Sequence, residues 1–380
     1  MRRFLVVAAS LFVVTALFFT GTRQAVGQDE KKAVEPDPGK AQGELPQEAI
    51  AAWEKAGAET GWMGPRWQLG VEFSKEQVGF HTGPSVPAFR FGPIRGGAWP
   101  EGLATLPQPE QAFGLELRRI TTDENVKELA RLKHLTWLHL SLTKITEEGL
   151  KELAGMKQLT ALHLNVGSPL TPGTRPFTDA DLKVLAGMTQ LTALELPFTQ
   201  VTDTGLKELA GLKQLTSLHL TNNKTITDAG LKELAGLERL TDLKLNMTRV
   251  SDAGLKELAP LKQLSILGLW YTKVTDAGLK ELAGLEQLTM LTLSNTQVTG
   301  TGLKELTGLK RLTFLELKGT QITEDGLKEL AGLKHLTTLY LTKTPVTEAG
   351  EAALHQALPQ CRIRLVNGPR VAPGGTGGGL

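Results

Sequence analysis

The side chains with the most chemical potential in this sequence form a row at one repeating register: His139, His163, Glu195 and His219. On adjacent parallel strands such residues sit ~5 Å apart, within range of shared metal coordination. A straight row fits a tetrahedral ion poorly, however, and solvent-facing histidines are an ordinary surface feature, so the row is a candidate polar site and no metal is assigned to it. Patterns that activate a nucleophile or cradle a phosphate are missing: the chain has no G-x-S-x-G, no H-E-x-x-H and no G-x-x-x-x-G-K-[ST]. Cys361 is the single cysteine, which excludes an internal disulfide. Neither a catalytic residue nor a cofactor is assigned, and the chain does not read as an enzyme. A second set is apolar: Trp137, Ile266, Trp270, Tyr271, Met290, Phe314 and Tyr340. Exposed aromatics rimmed by polar residues make anchors for a partner, and these seven are the candidate partner-binding residues.

Both sets are positioned by a repeat. Leading leucines fall at Leu135, Leu159, Leu191, Leu215, Leu240, Leu264, Leu288, Leu312 and Leu336, with successive spacings of 24, 32, 24, 25, 24, 24, 24 and 24. In the unit that begins at Leu264, Leu267 and Leu269 lie two apart and share one face of a strand. Thr272 and Val274 follow as the chain turns back inward. Thr275 and Asp276 then supply side-chain oxygens to cap a helix, Leu279, Leu282 and Ala283 recur at helical spacing, and Gly284 ends it. One such unit cannot bury its leucines, so stacking is required. The expected fold is α/β: a solenoid with a curved parallel sheet on the concave side and helices on the convex side. Eleven strands at ~4.8 Å, from Leu115 to a closing strand at Cys361, Ile363 and Leu365, would span about 50 Å.

The L-x-x-L-x-L spacing over 112–365 resembles the leucine-rich repeat family. The recurring T-D-x-G-L-K-E-L-A-G-L text resembles that of exported bacterial, planctomycete-type proteins, and related T-D-x-G-L repeats occur in F-box adaptors. One departure is that the family's Asn is mostly Thr here (Thr143, Thr199, Thr248, Thr272, Thr296, Thr320, Thr344), with Asn223 the exception, expected to face inward. A Thr hydroxyl can still satisfy backbone groups in that turn. The resemblance implies a non-catalytic binding protein.

The flanks set the context. Arg2 and Arg3, the apolar run Phe4 to Phe19, and Ala25-Val26-Gly27 read as a signal peptide over 1–27, with the mature chain starting at Gln28. The run is short of the ~20 residues that span a bilayer, and no second apolar run of that length follows, so no membrane span is expected in the mature chain. Residues 28–46 read as a disordered linker and 366–380 as a disordered Gly/Pro-rich tail. Between 47 and 111 a short helix (Gln47 to Ala56) precedes an aromatic, Gly/Pro-rich stretch containing Trp62, Trp67, Phe73, Phe80, Phe89, Phe91 and Trp99. This is the expected small irregular N-terminal cap, because a solenoid's end otherwise exposes its core. Eight extra residues near 167–175 form a loop beside the His row. A formal charge of +2 offers no basic field for nucleic acid.

These observations favour a protein or other macromolecular ligand bound on the concave face, in the periplasm, cell envelope or outside the cell. The alternatives are a structural envelope protein that self-assembles, an F-box-like adaptor of a ubiquitin ligase, for which no F-box is present, and an enzyme housed in the short N-terminal segment.

Overall fold

The computed structural model describes residues 44–66, 70–75, 85–92, 99–100, 102–118, 121–166 and 175–365. The signal-peptide segment, nearly all of the linker, most of the insertion, the tail, Trp67 and Phe80 lie outside the described residues.

Each repeat contributes a strand of alternating residues followed by a short helical return. Strands β1 (Glu59–Arg66), β2 (Gly70–Ser74), β3 (Val86–Phe91), β4 (Phe113–Leu117), β5 (Leu135–Thr143), β6 (Ala161–Val166) and β7 (Ala193–Glu195) belong to one sheet. Strands β8 (Ser217–His219), β9 (Asp242–Lys244), β10 (Ile266–Gly268), β11 (Met290–Thr292), β12 (Phe314–Glu316), β13 (Thr338–Tyr340) and β14 (Arg362–Arg364) continue it. From β3 to β14 neighbours are parallel and consecutive, and β1 pairs antiparallel with both β3 and β2. The eleven strands expected from Leu115 onward are β4 to β14. The aromatic segment, irregular in its text, covers the first repeat by adding three more strands.

The leucines behave as stacking demands. In one unit Leu264, Leu267, Leu269, Val274, Leu279, Leu282 and Leu285 are all fully buried, and one contiguous core runs from Leu45 to Cys361. Burial of each such side chain is worth about 1.5–3 kcal/mol. At the N-terminal end, helix α1 (Gln47–Lys55) sets Trp53 flat on Phe89, ring centroids 4.1 Å apart, with Phe113 edge-on at 5.9 Å. The indole Nε1 donates to the Pro107 carbonyl at 2.8 Å, so the large side chain is buried without an orphaned donor. At the other end β14 is the last strand of the sheet among the described residues, with Arg362 and Arg364 both exposed.

The returns differ from simple α-helices. Gly205–Gly211, Asp276–Leu282 and Thr301–Leu306 are 3₁₀ throughout, while Asp228–Leu231 and Asp252–Leu255 are single α-turns that tighten into 3₁₀. A 24-residue unit leaves few residues to travel back along the strand, and 3₁₀ geometry covers about 2.0 Å per residue against about 1.5 Å in an α-helix.

The Thr-Asp text has a second role besides capping its own helix. Each aspartate carboxylate accepts from the Thr or Ser of the next repeat: Asp203 from Thr227, Asp228 from Ser251, Asp252 from Thr275 and Asp276 from Thr299, with backbone N–H and hydroxyl both engaged at 2.6–2.9 Å. Asp123 and Asp179 do the same for Thr146 and Thr202. The Asp ladder stops at Gly300, which stands where other units carry Asp or Glu, and Thr323 turns instead to the Thr299 carbonyl. The Thr column performs as expected: Thr248, Thr272, Thr296, Thr320 and Thr344 donate their hydroxyls to the carbonyl three residues back. Asn223, fully buried, accepts from the Thr199 N–H and hydroxyl at 2.7 Å and donates to the Leu196 carbonyl at 2.9 Å.

Candidate functional site on the open sheet face

Because side chains alternate along a strand, the Leu positions point into the core and the residues between them line the opposite face of the sheet. Strand register sets those outer residues in columns. One reads Arg90, Glu116, His139, His163, Glu195, His219, Lys244, Gly268, Thr292, Glu316, Tyr340 and Arg364. The candidate polar row is therefore four consecutive members of a longer charged ladder. Beside it runs a second column containing Trp137, Ala161, Ala193, Ser217, Asp242, Ile266, Met290 and Phe314.

The histidines are not solvent-facing, which corrects the surface reading of that row. Glu195 takes His163 Nδ1 at 2.6 Å and His219 Nδ1 at 3.2 Å, and His219 Nε2 meets Asp242 Oδ2 at 2.9 Å. Lys244 Nζ lies 3.7 Å from the same Asp242 oxygen, and His139 stacks on His163 with ring centroids 3.8 Å apart. His163, Glu195, His219, Asp242 and Lys244 are all buried. Side chains spaced about 5 Å apart along a ladder wall one another off from water, and their charges then need partners within the row. Glu116, Asp242 and Lys244 complete the network and had not been grouped with the row. The available signal was that Glu116 opens the same column one strand earlier, and that Asp242 lies two residues before Lys244 on one strand.

The environments separate the titrations. Burial and the neighbouring His163 hold His139 well below its ordinary value, so it is neutral. For Glu195, burial pushes the carboxyl up, but His219 and His163 outweigh it and hold it well below the usual range. For His219, burial pushes down, yet Asp242 and Glu195 prevail over Lys244 and raise it. His219 thus sits between two carboxylates that favour its protonated form.

Ser217 Oγ lies 3.2 Å from His219 Nε2, and Glu195 lies on Nδ1, which superficially resembles a nucleophile, base and orienting acid. Asp242 occupies Nε2, however, and a carboxylate at each ring nitrogen favours the doubly protonated ring, in which neither nitrogen has a lone pair to accept the serine proton. For the same reason the row is not arranged as a metal centre. Among the described residues no three His, Cys, Asp or Glu side chains converge on a point that could hold an ion.

The apolar candidates divide. Trp137 is buried in a separate cluster with Met63, Phe73, Val86, Ala88, Ala161 and Ala193, at the N-terminal end of the face. The other six gather on β10 to β13 and the turn after β10. Trp270 and Tyr271 meet edge to face at 5.4 Å, and Phe314 and Tyr340 are tilted at 5.4 Å. Ile266 and Phe314 are buried against their column neighbours, and Met290, Trp270 and Tyr340 are half-buried. Tyr271, at 52% exposure, projects furthest. Its φ of 54° explains why: from β7 to β13 the turn after each strand passes through a left-handed residue, filled by Phe198, Asn222, Met247, Tyr271, Asn295, Gly319 and Lys343 in turn. That turn throws the side chain outward, and it also exposes Phe198 at 40%.

A stack of one strand and one helical turn per 24-residue unit, sharing an unbroken leucine core, defines a repeat solenoid with a parallel sheet. A family profile described as Leucine Rich repeat matches residues 131–154, 187–210 and 213–235, three of the chain's repeats. Among solved structures it is similar to an internalin of Listeria monocytogenes at 23% identity, covering 70% of this chain and 76% of that one, with a TM-score of 0.49. A second internalin of the same organism is 25% identical over 58% of this chain and 84% of that one, with a TM-score of 0.41. A comparison with curated protein sequences finds no match. No helix among the described residues is long and apolar enough to cross a membrane.

Proposed function

We propose that the chain is an exported, non-catalytic binding protein that engages another protein through the open face of its sheet, the concave side of the arc. The reading rests on one contrast. The helical text scarcely changes from unit to unit, while the outer strand columns vary along the stack and aromatic side chains gather on β10 to β13 and the turn after β10. A fold needs its leucines but not this variety, and a rigid face lowers the ordering cost of association. Export follows from the N-terminal text, Arg2 and Arg3 before an apolar run and Ala25-Val26-Gly27, and places the partner in the periplasm, in the envelope or outside the cell.

The test is affinity capture from the source organism's envelope and culture fluid with the chain starting at Gln28. A Trp270→Ala/Tyr271→Ala variant serves as control, since Tyr271 is largely exposed and its truncation leaves the core intact. A protein retained by the native chain and lost by the folded variant supports the reading. Identical capture by both, or none by either, refutes it. Edman sequencing of exported material is expected to begin at Gln28.

A further inference from the structure

Along the middle of the stack two polar links tie each unit to the next. One is the Asp carboxylate already described. The other runs from the N–H just ahead of the inward Val to a carbonyl of the preceding unit: Arg249 to Ile226, Lys273 to Val250 and Gln297 to Val274, at 2.9–3.0 Å. Between the β11 and β12 units both links lapse. Gly300 takes the Asp position, and among the described residues no backbone bond runs from Gln321 to Val298. The next boundary is no stronger, since Pro345 has no N–H to give and Glu324 meets the Thr347 hydroxyl at 3.5 Å. Strands β11 and β12 pair only over Met290–Thr292 and Phe314–Glu316. Gly300 and Gly326 bring the two returns together backbone to backbone, so that a methyl on Gly300 would lie 2.6 Å from Gly326 Cα. A small cleft at this boundary is lined by Leu306, Thr307 and Leu309 of one unit and by Leu312, Leu333 and His335 of the next. The Asp step also fails beside the insertion, where Thr178 turns to Asp181 of its own helix, but there the long strands β5 and β6 pair from Trp137 to Thr143.

We propose that the boundary between the β11 and β12 units is a joint, at which residues 312–365 open as one body while the stack before them stays folded. In a solenoid each unit touches only its neighbours, so the weakest interface decides where the array comes apart. The leucine core continues across this boundary and holds it closed, but apolar contact is non-directional and does not fix one unit against the next. The directional bonds that do so elsewhere are the ones that lapse here. The two aromatic pairs of the open face fall on opposite sides of the joint, Trp270 with Tyr271 before it and Phe314 with Tyr340 after it. Opening therefore changes the distance between the two halves of that patch. The joint is a property of the chain alone and holds whether or not the face binds a partner.

Hydrogen exchange of the full chain in sub-denaturing urea, read by mass spectrometry, tests this. Amides of Phe314–Glu316 and Thr338–Tyr340 are expected to exchange together, about a hundredfold faster than those of Asp242–Lys244 and Ile266–Gly268. Protection should fall in a single step between Met290–Thr292 and Phe314–Glu316. Asp276→Ala removes the last intact carboxylate link, so the step is expected to move back by one unit and Met290–Thr292 to join the fast set. A smooth decline toward residue 365, as in ordinary end fraying, overturns the joint, as does equal protection along the stack. So does a step that Asp276→Ala leaves in place. An Asp276→Ala chain that loses protection everywhere at once also overturns it, because the units would then be one cooperative body.

Discussion

Asp276 offers the sharpest test of how the repeats are held in register. Its carboxylate accepts four hydrogen bonds from the next unit: the Thr299 N–H at 2.9 Å, the Thr299 hydroxyl at 2.6 Å, the Gly300 N–H at 3.0 Å and the Gly302 N–H at 2.9 Å. Asp276→Ala removes all four and leaves three backbone donors to whatever water can reach them. Bonds to a charged acceptor are worth about 1.5–3 kcal/mol each when buried. The site is only part-buried and water compensates in part, so a loss of about 3 kcal/mol is expected for the set. Asp276→Asn keeps one carbonyl acceptor and is expected to lose about half as much. Urea denaturation followed by circular dichroism reads both, with Asp325→Ala as control, because Asp325 pairs only with exposed Lys328 on its own helix. The carboxyl of Asp276 is lowered: burial pushes it up, but the Thr299 hydroxyl and the Gly302, Thr299 and Gly300 amides prevail. Its stabilisation is therefore complete above the unfolded value near 3.8 and disappears as pH falls through the lower folded value. An Asp276→Ala midpoint indistinguishable from that of Asp325→Ala would refute the inter-repeat role.

Asn223→Ala removes three buried hydrogen bonds and is expected to cost about 2–3 kcal/mol by thermal denaturation, with Asn223→Thr recovering part of the loss through the hydroxyl geometry of the other units. The two outer histidines should act in opposite directions with pH. Because His219 is raised, its stabilisation is present below about 6.5 and fades as pH rises through the folded value, so His219→Gln lowers Tm most at acidic pH. Because His139 is lowered, its folded form loses ground as pH falls below about 6.5, so His139→Gln flattens the acid side of the Tm profile. A Gly278→Ala methyl would collide with the Asp252 carboxylate of the preceding ladder step, and a loss of about 2 kcal/mol or more is expected, against little change for Gly284→Ala, which would meet only the end of the Lys262 side chain.

The stack was readable because its information is one-dimensional: leucines at fixed spacing specify strand, turn and return without any long-range knowledge. Thr275 and Asp276 were legible as a helix cap, and Thr275 does cap its helix by accepting from Ala277. What a single unit could not reveal is that Asp276 also reaches forward to Thr299, since that partner lies 23 residues on and becomes a neighbour only once the stack exists. The same limit applies to the histidines. Local text made them surface residues, and the burial of His219 arises from Glu195 and Asp242 on the flanking strands. The segment 60–111 was opaque for another reason: Gly and Pro within β1 and Gly in β2 conceal their strand character, and it is the pairing of β1 with β3, and of β2 with β1, that draws them into the sheet.

A row of parallel strands has no intrinsic reason to stop, since its final member presents unspent backbone donors and acceptors to any chain of similar form. In β14 the two residues flanking Ile363 on the outer face are Arg362 and Arg364. Two molecules meeting edge to edge there would crowd four guanidinium groups within about 5 Å of one another across the seam. Like charges so placed repel, which turns the last turn of the coil into a fence against pairing of two such edges. The cost of that repulsion falls with ionic strength, so concentrated salt, rather than heat, is the condition under which such molecules would begin to join end to end.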